Sequence, residues 1–325
     1  QSIKAPCRSN PPPYESAIHP TYRCEIFISI IIPTYNYAQL LPRALDSVLV
    51  QQAKDVELIV VDDGSGDHTG DVLAAYAARH PRMQVIRQAN SGAAAARNRG
   101  IREARGAYAL LLDADDELMP NALANLRAVL ARNPCVGAIL GAHVAVHPNG
   151  RERLLTPEAI PSAPALQLAR RYLLDKRVSI SHGCSLFRRD LLLRRPYPEN
   201  LRGGEDVAVF TYVLVSAPVA VTREPLARIH KHADSLRHNR ENAEQRALLM
   251  VSEVFASLPA ECQVLRQDYQ AQRYLSLFRA ALLADDPTAA LRFYRCAWQL
   301  SPLQALRWRY LNKAIRSLTS PRGWH

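Results

Sequence analysis

Nowhere in the 325 residues is there a run of about 18 consecutive apolar residues, the length a bilayer-spanning helix needs. The first 26 residues also lack the charged-then-apolar order of a signal peptide, so the expected setting is cytoplasmic. The six cysteines (Cys7, Cys24, Cys135, Cys184, Cys262, Cys296) are far apart, without a C-x-x-C pair. That excludes a short-loop disulfide framework and leaves reduced thiols as the expectation. No G-x-G-x-x-G follows the first apolar strand run, which argues against a dinucleotide-dependent oxidoreductase. No nucleic-acid reading module is recognisable either, so nucleic acid is not an expected partner.

What is present is a globular composition, with 48% hydrophobic and 22% charged residues. The formal net charge of +11 would draw an anionic membrane surface or a phosphate-bearing substrate as readily as nucleic acid. Residues 1–26 include "SNPPPYESAIHP", where prolines forbid helix and imply an extended arm. From Phe27, short Ile/Val/Leu runs alternate with amphipathic helical stretches: "FISIIIPTYN", "VELIVVDDGSGD", "MQVIRQANSG" and "AYALLLDADDEL" are the strand runs. This pattern predicts an α/β fold with a mostly parallel sheet covered on both faces. Ligands of such sheets lie beyond the carboxyl ends of the strands, and those ends carry "PTYN", "DDGS", "QANSG" and "DADD". Beyond about Asn239 the chain reads as helical, which divides it into a catalytic region at 27–235 and a helical extension at 236–325.

The stretch "LLLDADDEL" raises a physical question, because a buried strand ending in Asp113, Asp115 and Asp116 concentrates charge that is costly to desolvate. Something positive is expected there. A D-x-D pair supplies hard oxygen ligands for Mg²⁺ or Mn²⁺ while leaving positions for phosphate oxygens. The same acids would also suit a helix N-terminus, with Asp116 as cap. In "VELIVVDDGSGD" an acid at a strand end can accept from a base or ribose, or simply stand in a turn. In "NSGAAAARNRG" Arg97 offers a permanent cationic fork at a helix start, although an ordinary Ala-rich helix has the same composition.

In order, "IIPTYN", "VVDDGSGD", "NSGAAAARNRG", "LLDADDEL" and "GGEDVAVF" closely resemble the inverting nucleotide-sugar glycosyltransferases of family 2, with the GT-A fold, over roughly residues 27 to 235. The resemblance implies that Pro33, Thr34, Tyr35 and Asn36 line the nucleotide pocket, and that Asp63, with Asp62 beside it, reads the base. It implies that Asn90 and Arg97 lie against the nucleotide and diphosphate, and that Asp113 and Asp115 hold Mn²⁺ or Mg²⁺, Asp115 the more directly. It makes Asp206 the catalytic base, supported by Glu205. His232 and Ser235 match a Tyr-Arg-x-His-x-x-Ser segment whose His can complete the metal site, but Ile229 and His230 replace the usual Tyr and Arg. UDP is the default nucleotide by this resemblance, and the expected acceptor is a bacterial surface glycan or a lipid-linked precursor of one.

In the mechanism so implied, cationic groups stabilise the departing nucleoside diphosphate, while a carboxylate takes the proton of the attacking hydroxyl and configuration inverts. Rival readings are a phosphatase using the first Asp of D-x-D, or a noncatalytic nucleotide-sugar-binding scaffold. In the tail, "DDPTAALRFYRCAWQLSP" has faintly tetratricopeptide-like spacing, which one copy reduces to packing. Residues 303–325 hold five basic residues and no acid. On a helix, Trp308, Leu311, Ile315 and Leu318 form an apolar stripe, with Arg309, Lys313 and Arg316 on another face. This suits either peripheral contact with an anionic membrane or inward packing of the stripe.

Overall fold

The computed structural model describes residues 28–51, 53–231 and 242–319. The Pro-rich arm at 1–26, and His232 with Ser235, lie outside the described residues. The first half alternates β1 (Ile28–Thr34), α1 (Leu41–Leu49), β2 (Val56–Asp62), α2 (Thr69–Arg79), β3 (Met83–Arg87), α3 (Ala93–Glu103) and β4 (Tyr108–Leu111). There follow β5 (Glu117–Leu118), α4 (Ala122–Arg132), β6 (Ala138–Val146), β7 (Glu152–Leu155), α5 (Ala165–Leu173), β8 (Ser185–Arg188) and α6 (Arg189–Arg194). The chain closes with α7 (Glu205–Ser216), β9 (Val219–His230), α8 (Ala243–Ala256), α9 (Arg266–Leu283), α10 (Pro287–Leu300), α11 (Pro302–Ala305) and α12 (Trp308–Thr319).

All nine strands form one sheet in the order β3-β2-β1-β4-β8-β6-β9-β5, with β7 paired to β6. The β3-β2-β1-β4 half is parallel, as the alternating pattern implies. Beyond β4 the sheet is mixed: β8 runs antiparallel to both β4 and β6, while β6 and β9 are parallel. Every residue of β1 is buried, because helices cover both faces of this central strand. Pro33 is tolerated there since pairing with β4 ends at Ile31, so its missing N–H breaks no bond on that side.

The second half closes the rim. Strand β9 follows β6 and then pairs its last residues antiparallel with β5, matching Glu117 to Arg228 and Leu118 to Ala227. A register shift around Gly141–His143 bends this pair, and a Cβ on Gly141 would stand 2.3 Å from Leu226 Cδ1. The loop between β4 and β5, which holds the three acids, is thereby pressed against the end of β9.

The helical extension does not stand apart from the sheet region. Leu173, Leu174 and Ala208 of α5 and α7 share one buried cluster with Val251, Val254 and Phe255 of α8 and Tyr269 of α9. A second cluster joins α9, α10 and α12 through Leu275, Phe278, Phe293 and Tyr310. Helix α10 begins at a cap, Asp286, whose carboxylate accepts from the Ala289 N–H at 2.9 Å. Among the described residues the four cysteines are unpaired thiols, and no helix is long and apolar enough to cross a membrane.

Helix α3 lies on β1 so closely that a Cβ on Gly100 would stand 2.3 Å from Ile31 Cγ2. Gly100→Ala is therefore expected to destabilise the protein by about 1–3 kcal/mol through overpacking. Urea unfolding checks this, and an unchanged midpoint would contradict the close approach.

Candidate functional site

The strand ends of the parallel half are joined by side chains that bond to backbone. Asn36 sits at φ +56°, donates its N–H to Ser65 Oγ at 2.9 Å and accepts the Gly66 N–H on Oδ1 at 2.8 Å. Asp62 accepts from the Ser65 N–H at 2.9 Å and lies 3.5 Å from the Arg87 guanidinium. Asp63 takes three donors: Gln88 Nε2 at 2.8 Å, the Ser91 N–H at 2.9 Å and the Gly92 N–H at 2.7 Å. These last two lie just before α3, so Asp63 ties the end of β2 to that helix start. Both acids are almost fully buried and fully partnered, which makes them builders of the rim loops. Thr34 is buried with its hydroxyl unpartnered, whereas Tyr35, Asn36 and Asn90 are exposed along the same edge. Gly64, at φ +78°, lets that edge close, since a Cβ there would meet the Asn90 nitrogen at 2.9 Å.

The acid loop answers the charge question with Arg97. From one turn inside α3, Arg97 sends Nη2 to Asp113 Oδ1 and Nη1 to Glu205 Oε1, each at 2.9 Å. Only 8% of Arg97 is exposed, so this is a buried bridge between the loop after β4 and the start of α7. Burial alone would favour the neutral guanidine, but the Asp113 carboxylate keeps Arg97 charged. Burial likewise pushes Asp113 upward, and the Arg97 guanidinium overrides it and holds Asp113 below the usual carboxylate range. The guanidinium thus has its fork committed to protein carboxylates.

Asp116 does not cap α4, which starts after Asn121. Its Oδ1 instead accepts the His230 N–H at 2.8 Å, fastening the acid loop to the end of β9. Burial, and then the neighbouring Asp113 charge, push Asp116 up to about 8. The Arg43 guanidinium donates to the Asp115 carbonyl, and Tyr37 has its phenol raised by burial and by Asp115, Asp113 and Asp116.

Asp206 lies in the first turn of α7, after Gly203 at φ +91° and Gly204 at φ +79°. Burial and the adjacent Glu205 raise its pKa, with Arg97 and the backbone N–H groups pulling the other way. Glu205 accepts from the Gly203 N–H at 3.1 Å on the oxygen that Arg97 leaves open. The structure thus brings Arg97, Asp113, Glu205 and Asp206 into one neighbourhood, and the Asn36, Asp62, Asp63 and Asn90 rim into another along the same sheet edge.

Two contributors have no counterpart in the motif reading. His182 Nδ1 is 4.0 Å from Asp113, its Nε2 is 3.0 Å from the Tyr197 hydroxyl, and its ring meets Phe210 edge-on. Burial, then Arg97, lower His182 to about 3, so it is a neutral imidazole. The "SHG" before β8 was a visible signal of a polar side chain beside a turn; nothing in the sequence marks Tyr197.

A divalent cation is implied by the D-x-D reading. Among the described residues no three His, Cys, Asp or Glu side chains converge as a complete ligand set. The donors present do fit an oxygen-loving ion with an incomplete protein shell, since Asp113 and Asp115 are hard carboxylates on one short loop.

A helix-covered sheet that gathers acids at one rim, with a carboxylate at the start of a helix opposite them, has the architecture of a GT-A glycosyltransferase. The fold matches S. aureus TarS 1–349 in complex with UDP-GlcNAc with a TM-score of 0.67 and 21% identity, over 90% of this chain and 89% of that one. Among curated relatives, the uncharacterized glycosyltransferase EpsJ of Bacillus subtilis (strain 168) is 45% identical over 89 residues, 27% of this chain and 26% of EpsJ. Chondroitin synthase of Escherichia coli is 42% identical over 96 residues, 30% of this chain and 14% of that protein. The Glycosyl transferase family 2 model matches residues 29–194. The chain belongs to glycosyl transferase family 2, and the match ends before the Gly203–Asp206 turn.

Removing the Arg97 bridge leaves two carboxylates unpaired. Arg97→Met is expected to cost about 3–5 kcal/mol at neutral pH. Because the folded Asp113 pKa is lowered, its share of stability is present above the unfolded value and disappears as pH falls through the folded one. The gap between Arg97→Met and the parent should therefore narrow in acid unfolding series; a gap independent of pH would contradict the pairing.

Proposed function

We propose that this chain is an inverting, metal-dependent hexosyltransferase, moving a sugar from a nucleotide-diphosphate donor, UDP-linked by preference, to a hydroxyl of a bacterial surface glycan or lipid-linked acceptor. The observation that carries the proposal is the Arg97 bridge, which ties the D-x-D loop at Asp113 to Glu205, the residue next to Asp206. A donor-holding loop and a proton-accepting carboxylate are thereby fixed on either side of one guanidinium.

In this reading the nucleotide lies on the edge formed by Pro33, Thr34, Tyr35, Asn36 and Asn90, on loops that Asp62 and Asp63 hold by their backbone bonds. Asp115 and Asp113, with His232 as a further candidate, would hold Mn²⁺ or Mg²⁺. When bound, that ion would supply electrostatic stabilisation to the diphosphate leaving group. Arg97 keeps Asp113 and Glu205 in place and remains charged throughout. Asp206 Oδ accepts the acceptor's hydroxyl proton, and its raised pKa makes it a stronger base than an exposed aspartate. Burial of the neutral His182 and Tyr197 beside Asp113 excludes water from that side of the acids.

The matched relatives support this reading through their names, and the solved neighbours through complexes with UDP-GlcNAc and, for the Pyrobaculum calidifontis mannosyltransferase PcManGT, with GDP-Man and Mn²⁺ (TM-score 0.50, 24% identity). We also place the enzyme in the cytoplasm, in peripheral contact with anionic lipid through its C-terminal end. There Trp308 is 73% exposed beside exposed Arg307, while Tyr310 and Ala314 turn inward.

Asp206→Asn should bind UDP-sugar with parental affinity and lose transfer by about 10²–10⁴-fold, the usual contribution of a general base. Parental turnover in this variant would remove the assignment. The acid limb of kcat/KM should lie above the ordinary aspartate range, activity falling as pH drops through the raised pKa. Glu205→Gln removes a charge that raises Asp206, so the limb should move to lower pH; a limb that stays or rises would show that another group titrates. Asp115→Ala should abolish the metal dependence of donor binding in calorimetry, and unchanged affinity with and without Mn²⁺ would count against it.

A further inference from the structure

Near the Gly203–Asp206 turn, across Met250, two cations share one aromatic ring. Lys176 Nζ lies 5.8 Å and the Arg273 guanidinium carbon 5.1 Å from the centroid of Tyr269. Tyr269 is 1% exposed and donates its hydroxyl to Met250 Sδ at 3.5 Å. Arg273 Nη1 lies 3.8 Å from the same sulfur, a weak acceptor, and Arg273 Nε is buried with no partner. Among the described residues no carboxylate pairs with either cation. The nearby acids are engaged elsewhere: Asp175 with Arg170, Glu253 with Arg195, Glu244 with Arg292.

The pair is next to the proposed base. Met250 stands so close to the turn that a Cβ on Gly204 would be 2.2 Å from its methyl carbon, so a single side chain separates Gly204 from Arg273. The Asp206 charge is felt at Tyr269, which burial and Asp206 both raise against the pull of Arg273. In the proposed reaction Asp113 and Asp115 face the donor and Asp206 the acceptor. The cationic pair lies one side chain from the turn that this reaction assigns to the acceptor.

We propose that Lys176 and Arg273 form an anion subsite that takes a phosphate monoester group carried by the acceptor. Two cations without carboxylate partners among the described residues call for an anion of about two charges, which a phosphate monoester at neutral pH supplies and a carboxylate does not. Arg273 contributes a planar fork and Lys176 a point charge, the usual division of labour around phosphate. Desolvation, and then the neighbouring Arg273 charge, pull the Lys176 ammonium down to about 8. A bound dianion would reverse that shift. The assignment of this phosphate to the acceptor rests on the glycosyltransferase reading; the presence of the subsite does not.

Calorimetry on the full chain at fixed ionic strength, with inorganic phosphate and glycerol phosphate as probes, tests the proposal. Glycerol phosphate is expected to bind, and Lys176→Met or Arg273→Gln to weaken it about tenfold, the loss of one charge-assisted contact. Arg279→Gln, on the exposed side of α9, should leave binding unchanged. Lys176 is exposed, so its variant folds independently of the outcome. As a second readout, the resonance of ¹³C-methylated Lys176 should titrate near 8 in the free chain and move upward with glycerol phosphate. Equal affinity in Lys176→Met, an equal loss in Arg279→Gln, or binding of inorganic phosphate alone (an adventitious ion only) would overturn it. Glycerol phosphate binding in a chain that fails to bind UDP would uphold the subsite and overturn the donor reading instead.

Discussion

One buried guanidinium organises the chemistry of this protein. Arg97 enters from α3, whose close seating on β1 depends on the missing side chain at Gly100, and it joins loops separated by most of the sheet region. An ion pair of this kind does not by itself stabilise a fold, because desolvating both partners costs about as much as their attraction returns. What it gives is register. Asp113 and Glu205 cannot move independently while they share one rigid fork, so the acid loop and the Asp206 turn hold a fixed relation.

The remaining rim follows the same logic with weaker bonds. Asn36, Asp62, Asp63 and Asp67 each place an oxygen on a backbone N–H of a neighbouring loop: Gly66, Ser65, Gly92 and Ala38 respectively. The buried Asp62 and Asp63 are held mainly by backbone donors and act as fixed struts. This explains how a chain of net charge +11 carries a rim crowded with acids. At Asp113, Asp115 and Asp116 three acids share one short loop, and burial, then the Asp113 charge, push Asp116 up to about 8.

Much of this was legible in the residues. The Ile/Val/Leu runs marked the parallel strands because both faces of such strands are buried, and the polar ends of β1, β2, β3 and β4 marked the rim for the same reason. The need for positive charge at "DADD" was also readable, since the desolvation cost is a property of the acids alone. Its supplier was not. Nothing local shows that α3 aims Arg97 at Asp113 and Glu205, residues 16 and 108 positions away. The mixed half of the sheet was hidden for a related reason: antiparallel β8 and the bent β6–β9 pair arise from non-local closure, which periodicity does not record. Asp116 misled as a cap because its true donor, the His230 N–H, is 114 residues distant.

The helical extension acquires a meaning that its composition could not convey. Gly204 has a backbone conformation that disfavours any side chain, and its open face is filled by Met250 from α8. Tyr269 and Arg273 of α9 then surround that sulfur, while Glu253 of α8 reaches Arg195 and Asn200 on the approach to the turn. The carboxylate of Asp206 is therefore desolvated partly by helices outside the sheet region, and its raised basicity is a property of the joined structure. The environment of Asp206 thus depends on a contact between two parts of the sequence that its composition would separate.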